Sequence, residues 1–190
     1  MTDARPPAAA ETAVQPDEVM FSPAVRTEQA CRGSREAYGR RAAAGQFARE
    51  LSTEAKAFIA ERDSAYLATA SADGQPYVQH RGGPPGFLKI LNDHALAFLE
   101  YPGNRQFISI GHLAENERAF LFLMDYANAR RLKLWGRAEV SSDPELIASL
   151  QTSSRRIEHA IVFTVLAWDW NCSQHIPRLV PAEPAPDKSS

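Results

Sequence analysis

The chain has 190 residues, with 21 Lys and Arg against 23 Asp and Glu, a formal net charge of −2 and 44% hydrophobic residues. That is enough for one ordinary domain with its own core, and the near-neutral balance argues against a dedicated nucleic-acid binder while leaving local basic pockets open. The longest purely apolar run, Ala119 to Met124, is far short of the roughly 20 residues of a membrane span, and no apolar signal segment opens the chain, so the expectation is a soluble, cytoplasmic protein with no membrane partner.

Proline marks both ends of the chain. Seven of the thirteen prolines fall in residues 1–16 or 177–190, among Ala, Glu, Asp and Ser, and this composition predicts mobile tails over 1–20 and 181–190. Between them no repeat or Gly/Ser linker interrupts the sequence, so residues 21–180 read as a single folded unit. Ala24 to Ala44 is helical in character, and Phe47, Leu51, Ala55, Phe58 and Ile59 recur at spacings of three and four. Ser52 or Thr53 can cap this second helix, which should run to about Arg62.

From Ser64 the period changes. Ser64–Ala70 and Pro76–Arg81 flank Asp73-Gly74, and Phe87–Leu91 and Ala95–Leu99 flank Asn92-Asp93, both hairpin signals. Pro102-Gly103 stops the fourth strand, and Asn104 is placed to cap a short helix that carries Phe107 and Ile110 and ends near Glu115. Arg118–Met124 reads as a buried strand. Arg131–Val140 alternates, with Leu132, Leu134, Ala138 and Val140 on one face and Arg131, Lys133, Trp135, Arg137 and Glu139 on the other. Asp143-Pro144 opens a helix to about Leu150, and His159–Trp168 returns as an apolar strand. Seven strands at hairpin spacing with helices at the ends predict a mainly β, α+β fold: a small closed or split antiparallel barrel with peripheral helices.

Four cations stand at the ends of successive elements. Arg81 opens a loop, Arg81 to Gly86, whose three glycines permit a close backbone approach to an anion or a flat ring; a plain surface loop is the alternative. Lys89 interrupts an apolar strand, where an ammonium either snorkels to the rim or meets an anion. Arg105 follows Asn104 at a helix start, a place that favours a phosphate or serves simply as a cap, and Arg131 begins the alternating strand. A phosphate dianion is the simplest common partner of Arg81, Lys89, Arg105 and Arg131. The five histidines show no HExxH or other ligand spacing and the two cysteines no CxxC, so no metal is expected. Cys172 and His175 are close in sequence, but a nucleophilic pair is a matter of spatial geometry, which spacing does not establish. Gln174 and His175 lie among the aromatic and amide residues of Trp168–Leu179, a segment read as following the last strand, and are the candidates to contact a substrate; a strap packed on the barrel by Trp168, Trp170 and Ile176 is the alternative.

The ordered set RGGPPGFLK, then GNRQ, then RRLKLWGRAEV within residues 79–140 resembles the FMN-binding split barrel of the pyridoxamine 5'-phosphate oxidase superfamily, and WDWNCSQHIPRL, residues 168–179, resembles the closing segment of one uncharacterised branch. The resemblance implies a homodimer with FMN in clefts between subunits. By position, Lys89, Arg105 and Gln106 match phosphate-binding residues, Asn104 stands where a small polar residue is usual, and Arg131 falls where a side chain reaches the flavin. Phe87 and Leu88 would lie along the isoalloxazine with backbone polar groups turned to its edge. The arginine that the vitamin B6 oxidase of this superfamily places five residues before its strand lysine is Pro84 here, so Arg81 serves from an altered loop or not at all, and that oxidase's C-terminal Arg-x-His substrate signature is missing. The resemblance therefore implies an FMN-dependent oxidoreductase acting on an unknown small molecule, with no residue evident as general acid or base. The alternatives are a non-catalytic flavin-binding or sensory module, and a split barrel that uses deazaflavin or haem.

Overall fold

The computed structural model describes residues 14–151, 156–171 and 174–180. Six helices and seven strands follow one another as α1 (Pro16–Met20), α2 (Pro23–Cys31), α3 (Arg35–Ala43), α4 (Thr53–Ala60), β1 (Ser64–Ala70), β2 (Pro76–Gly82), β3 (Lys89–Asn92), β4 (Ala95–Glu100), α5 (Ile108–Glu115), β5 (Arg118–Asp125), β6 (Arg130–Ser141), α6 (Pro144–Leu150) and β7 (His159–Trp170). The strands form one antiparallel sheet in the order β2-β1-β5-β6-β7-β4-β3. A salt bridge of 2.7 Å joins Arg81 on β2 to Glu100 on β4, strands far apart in that order, so the sheet is rolled until its two ends meet. The fold is a split-barrel α+β fold, as the strand spacing predicted.

The inward face supplies the core: Leu67, Leu96, Phe98, Leu121, Leu123, Leu132, Leu134 and Phe163 are all fully or almost fully buried. β6 alternates as expected, with Leu132, Leu134 and Ala138 buried and Arg131, Lys133, Trp135 and Arg137 on the opposite face. On β7 the register slips: Trp135 faces Ala167 while Gly136 faces Val165, so Leu166 has no partner and bulges. Beyond the bulge the facing reverses, which turns Trp168 and Trp170 onto the core alongside Val165. Only glycine fits at 136, because a Cβ there would collide with the Thr164 carbonyl oxygen and the Phe163 ring.

Several expectations are corrected. Residues 16–20, assigned by composition to a tail, form α1: Pro16 sits in its first turn, the Glu18 carboxylate accepts from the Gln15 N–H at 3.2 Å, and Asp17 pairs with Arg26 at 3.0 Å. The rest of the two tails, 1–13 and 181–190, lies outside the described residues, as does Cys172. The helix expected over 24–44 is broken in two at Gly33, whose φ of +74° ends α2. Phe47 is buried as the apolar stripe implies, yet it precedes α4 in a loop, packed edge-on against Phe21 at 5.5 Å. Ser52 does cap α4, accepting from the Ala55 N–H at 3.1 Å. β3 starts at Lys89 rather than Phe87, because Phe87 closes a turn onto the Pro84 carbonyl and Gly86 has a φ of +84°. β7 continues to Trp170, so Trp168 and Trp170 belong to the strand rather than to a segment after it.

Candidate functional site

Two cavities meet at Tyr101, just beyond the end of β4. One, of about 330 Å³, is bordered by Arg81, Glu100, His159 and the loop Asn104–Phe107. The other, of about 510 Å³, is bordered by the Gly82–Gly86 loop, Phe87, Lys89 and Leu99. Three of the four sequence-selected cations therefore cluster at this corner.

Their environments differ. Arg81 points into the first cavity, but Glu100 already holds it, and the two side chains are only 12% and 13% exposed. The pair is incompletely satisfied: Nε and Nη2 of Arg81 and Oε2 of Glu100 are buried with no hydrogen-bond partner among the described residues. Burial pushes the Glu100 carboxyl above the ordinary carboxylate range in spite of the opposing pull of Arg81. Lys89 is half-buried beside the glycine loop and has no ion pair or side-chain hydrogen bond among the described residues. The loop is shaped by its glycines, since a Cβ on Gly83 would stand 2.6 Å from the Phe87 Cβ, and Gly86 beside Lys89 holds a φ of +84°.

The segment Asn104–Phe107 is not the first turn of α5, which was the expectation. Arg105 and Phe107 have φ of +61° and +52°, and Asn104 accepts from the Gln106 N–H at 3.2 Å, making a local turn four residues before the helix. The Asn side chain is satisfied by that turn, so it caps the loop and not the helix. Two non-glycine residues in the left-handed region are costly and mark a segment held for a reason other than local preference. Arg105 is exposed, with its guanidinium 5.9 Å from the Phe107 ring and no ion pair among the described residues. Gln106 is exposed beside it.

The other sequence-selected residues lie elsewhere. Leu88 is 2% exposed and part of the core, which leaves only its backbone for a ligand, whereas Phe87 is partly buried at the cavity wall. Arg131 opens β6 at the end where the Asn171 N–H donates to its carbonyl, and in the amide orientation that satisfies both groups Asn171 accepts from its guanidinium at 2.5 and 2.8 Å. The opposite end of β6, Ser141, pairs with Ala160 beside His159 of the first cavity. Ten residue steps, roughly 30 Å of strand, separate Arg131 from Ser141, and Arg131 lines neither of the two cavities. Gln174 and His175, exposed just past Asn171, are at the Arg131 end too. Sequence reasoning missed Glu100, which ends the apolar strand β4; its signal was a charged residue at the rim of the β3–β4 hairpin. Among the described residues no group of three or more His, Cys, Asp or Glu could hold a metal ion, and no helix is long and apolar enough to cross a membrane.

A family model described as pyridoxamine 5'-phosphate oxidase matches residues 51–180, from the start of α4 past the end of β7. The chain belongs to that family. In shape it is similar to a variant of HupZ from Group A Streptococcus, at 14% identity over 64% of this chain and 99% of that one with a TM-score of 0.53. It is also similar to a putative pyridoxamine 5'-phosphate oxidase from Lactobacillus delbrueckii, at 18% identity over 64% and 95% of the two chains with a TM-score of 0.52. An FMN-binding protein from Syntrophomonas wolfei is similar at 13% identity over 77% and 94% of the chains, with a TM-score of 0.47. For the Streptococcus and Lactobacillus proteins, at these identities, the likeness shows the shared fold alone. Among curated proteins none is similar enough to count as a match.

Proposed function

We propose that this member of the pyridoxamine 5'-phosphate oxidase family binds FMN, grips the terminal phosphate with Lys89 and Arg105, and works as a flavin-dependent oxidoreductase on a small molecule. Lys89 carries the reading. A half-buried ammonium with no counter-ion beside a glycine-shaped loop is unfavourable by itself and is relieved by an incoming anion. Arg105, raised on a strained turn across Tyr101, offers a planar guanidinium to the same anion, and the backbone of Asn104–Gln106 lies beside it. Arg81 does not belong to this grip, because a phosphate would have to displace Glu100 to reach it. These residues fit a phosphate monoester without a metal. FMN, when bound, supplies the two-electron redox chemistry, and the chain binds and orients it.

The distribution of the remaining residues supports a homodimer. Arg131, Gln174 and His175 line neither the Lys89 cavity nor the Arg105 cavity, and a second copy is a means by which all of them would face one ligand. In that arrangement Arg131 reaches the flavin and Gln174 and His175 border the substrate.

The absorption spectrum of the purified protein tests the ligand directly. Flavin bands, and binding of FMN about tenfold or more tighter than riboflavin, are expected, because the cations are directed at the phosphate. A haem or deazaflavin spectrum, or equal affinity for riboflavin and FMN, overturns the reading. Bound FMN that is reduced and reoxidised in the presence of a small-molecule donor and acceptor separates an oxidoreductase from a non-catalytic flavin-binding module.

A further inference from the structure

Helices α1 and α2 and the loop before α4 precede the matched residues 51–180 and lie against the outer side of β5, β6 and β7. Between this extension and the barrel is a cavity of about 430 Å³, within the range of small-molecule sites. Val19 and Pro23 border it on the extension side and Trp135 and Leu166 on the barrel side. It shares no lining residue with the two cavities at Tyr101.

Charge and strand geometry give the cavity its chemistry. Arg118 and Arg137 are direct cross-strand partners, an arrangement of like charges that weakens a sheet. Arg137 is held by Glu117 at 3.0 Å, whereas Arg118 and Arg49, which also line the cavity, have no ion pair or side-chain hydrogen bond among the described residues. Against these three guanidinium groups the cavity wall carries one carboxylate, Glu18, which accepts from the Gln15 N–H. The wall is therefore net positive. Trp135 is held edge-on by Phe120 at 5.0 Å, which makes its indole a fixed platform, and the bulge at Leu166, next to Gly136, turns an aliphatic side chain into the same space.

We propose that this cavity binds a planar aromatic carboxylate, with its ring against Trp135 and Leu166 and its carboxylate between Arg49 and Arg118. Such a ligand would compensate the Arg118–Arg137 repulsion and would hold the N-terminal helices against the barrel. The site is independent of the flavin reading, since it uses none of the same residues.

Isothermal titration of the full chain with 2-naphthoate, in the presence of saturating FMN, tests it. One saturable site is expected, with 2-naphthol binding about tenfold or more weakly and the double variant Arg49→Gln/Arg118→Gln losing about tenfold or more of the affinity. Quenching of Trp fluorescence by 2-naphthoate, lost in Trp135→Phe, provides a second readout in a variant that keeps all the cations. The proposal is overturned by the lack of saturable binding, by unchanged binding in the double variant, or by competition from FMN. It is equally overturned if binding emerges only when residues 1–13 are removed, which would make that segment the occupant. A changed oligomeric state of the double variant in light scattering overturns it too, by making the face a subunit interface.

Discussion

The two cavities that meet at Tyr101 are built from neighbouring stretches of chain, yet they treat their cations in opposite ways. Arg81 is paired with Glu100 and only 12% exposed, while Lys89, a few residues further along and beyond the glycine loop, has no ion pair among the described residues. Both residues read as anion ligands in the sequence. The difference teaches that a cation is available to a ligand only where the fold has not already supplied its counter-ion: Arg81 joins β2 to β4 across the rolled sheet, and Lys89 is left without a counter-ion among the described residues.

The largest expected effect breaks the closed corner. Glu100→Ala leaves a buried guanidinium without a partner and should cost about 3–5 kcal/mol of stability, measured by urea unfolding. The double replacement Arg81→Met/Glu100→Leu removes both charges and three unsatisfied polar atoms, and its stability should lie close to that of the wild type. A single variant as stable as the wild type would show that the pair closes nothing.

Next comes the open corner. Lys89→Ala and Arg105→Ala should each weaken FMN binding by about 1.5–3 kcal/mol in a flavin titration while unfolding midpoints stay nearly unchanged. Arg81→Lys keeps a charge for Glu100 and should leave the FMN affinity within a few-fold of the wild type. Equal losses at Arg81 and Lys89 would erase the distinction between the corners. Gly83→Ala sharpens it from the backbone side: a Cβ 2.6 Å from that of Phe87 must push the ring out of place, with a cost of about 1–3 kcal/mol in stability and a weaker flavin site.

Most strands were legible in the sequence because β6 buries one face and so carries a period of two, because β5 holds an unbroken apolar run, and because Asp73-Gly74 and Asn92-Asp93 mark the β1–β2 and β3–β4 hairpins. α1 was hidden, since five residues are too few for a period, and it is held by Pro16, Asp17 and Arg26 instead. The start of α5 was misplaced because Asn104 satisfies a turn of its own before any helix begins, and no propensity argument foresees two non-glycine residues at positive φ. The Lys89 corner was legible as an ammonium in an apolar strand. The Arg81 corner was not, because its decisive partner, Glu100, comes from a strand at the other end of the sheet order, and only the rolling of the sheet brings the two together.

The smallest effect is the pH dependence of stability, which contrasts two buried carboxyls. Burial raises the Glu100 carboxyl above its ordinary value of 4.5 although Arg81 opposes the shift. The folded chain then holds a proton that the unfolded chain has released, so stability declines as pH rises from about 4.5 through the raised value. Asp125 behaves in reverse. Burial alone would raise it, but hydrogen bonds from the Asn128 amide and backbone N–H and the Arg62 guanidinium at 3.4 Å bring it below 3.8. Its contribution is present above 3.8 and is lost as pH falls through the lowered value. Glu100→Gln should flatten the decline above pH 4.5 and leave the acid limb intact, and Asp125→Asn should do the opposite. Both are read from unfolding free energies measured across pH 3 to 7. The slopes, and not the absolute stabilities, decide the matter, because each substitution also alters the partner's hydrogen bonds at every pH. If Glu100→Gln leaves the slope above pH 4.5 unchanged, the Glu100 carboxyl is ionised in its ordinary range and the corner at Arg81 is better solvated than its burial implies.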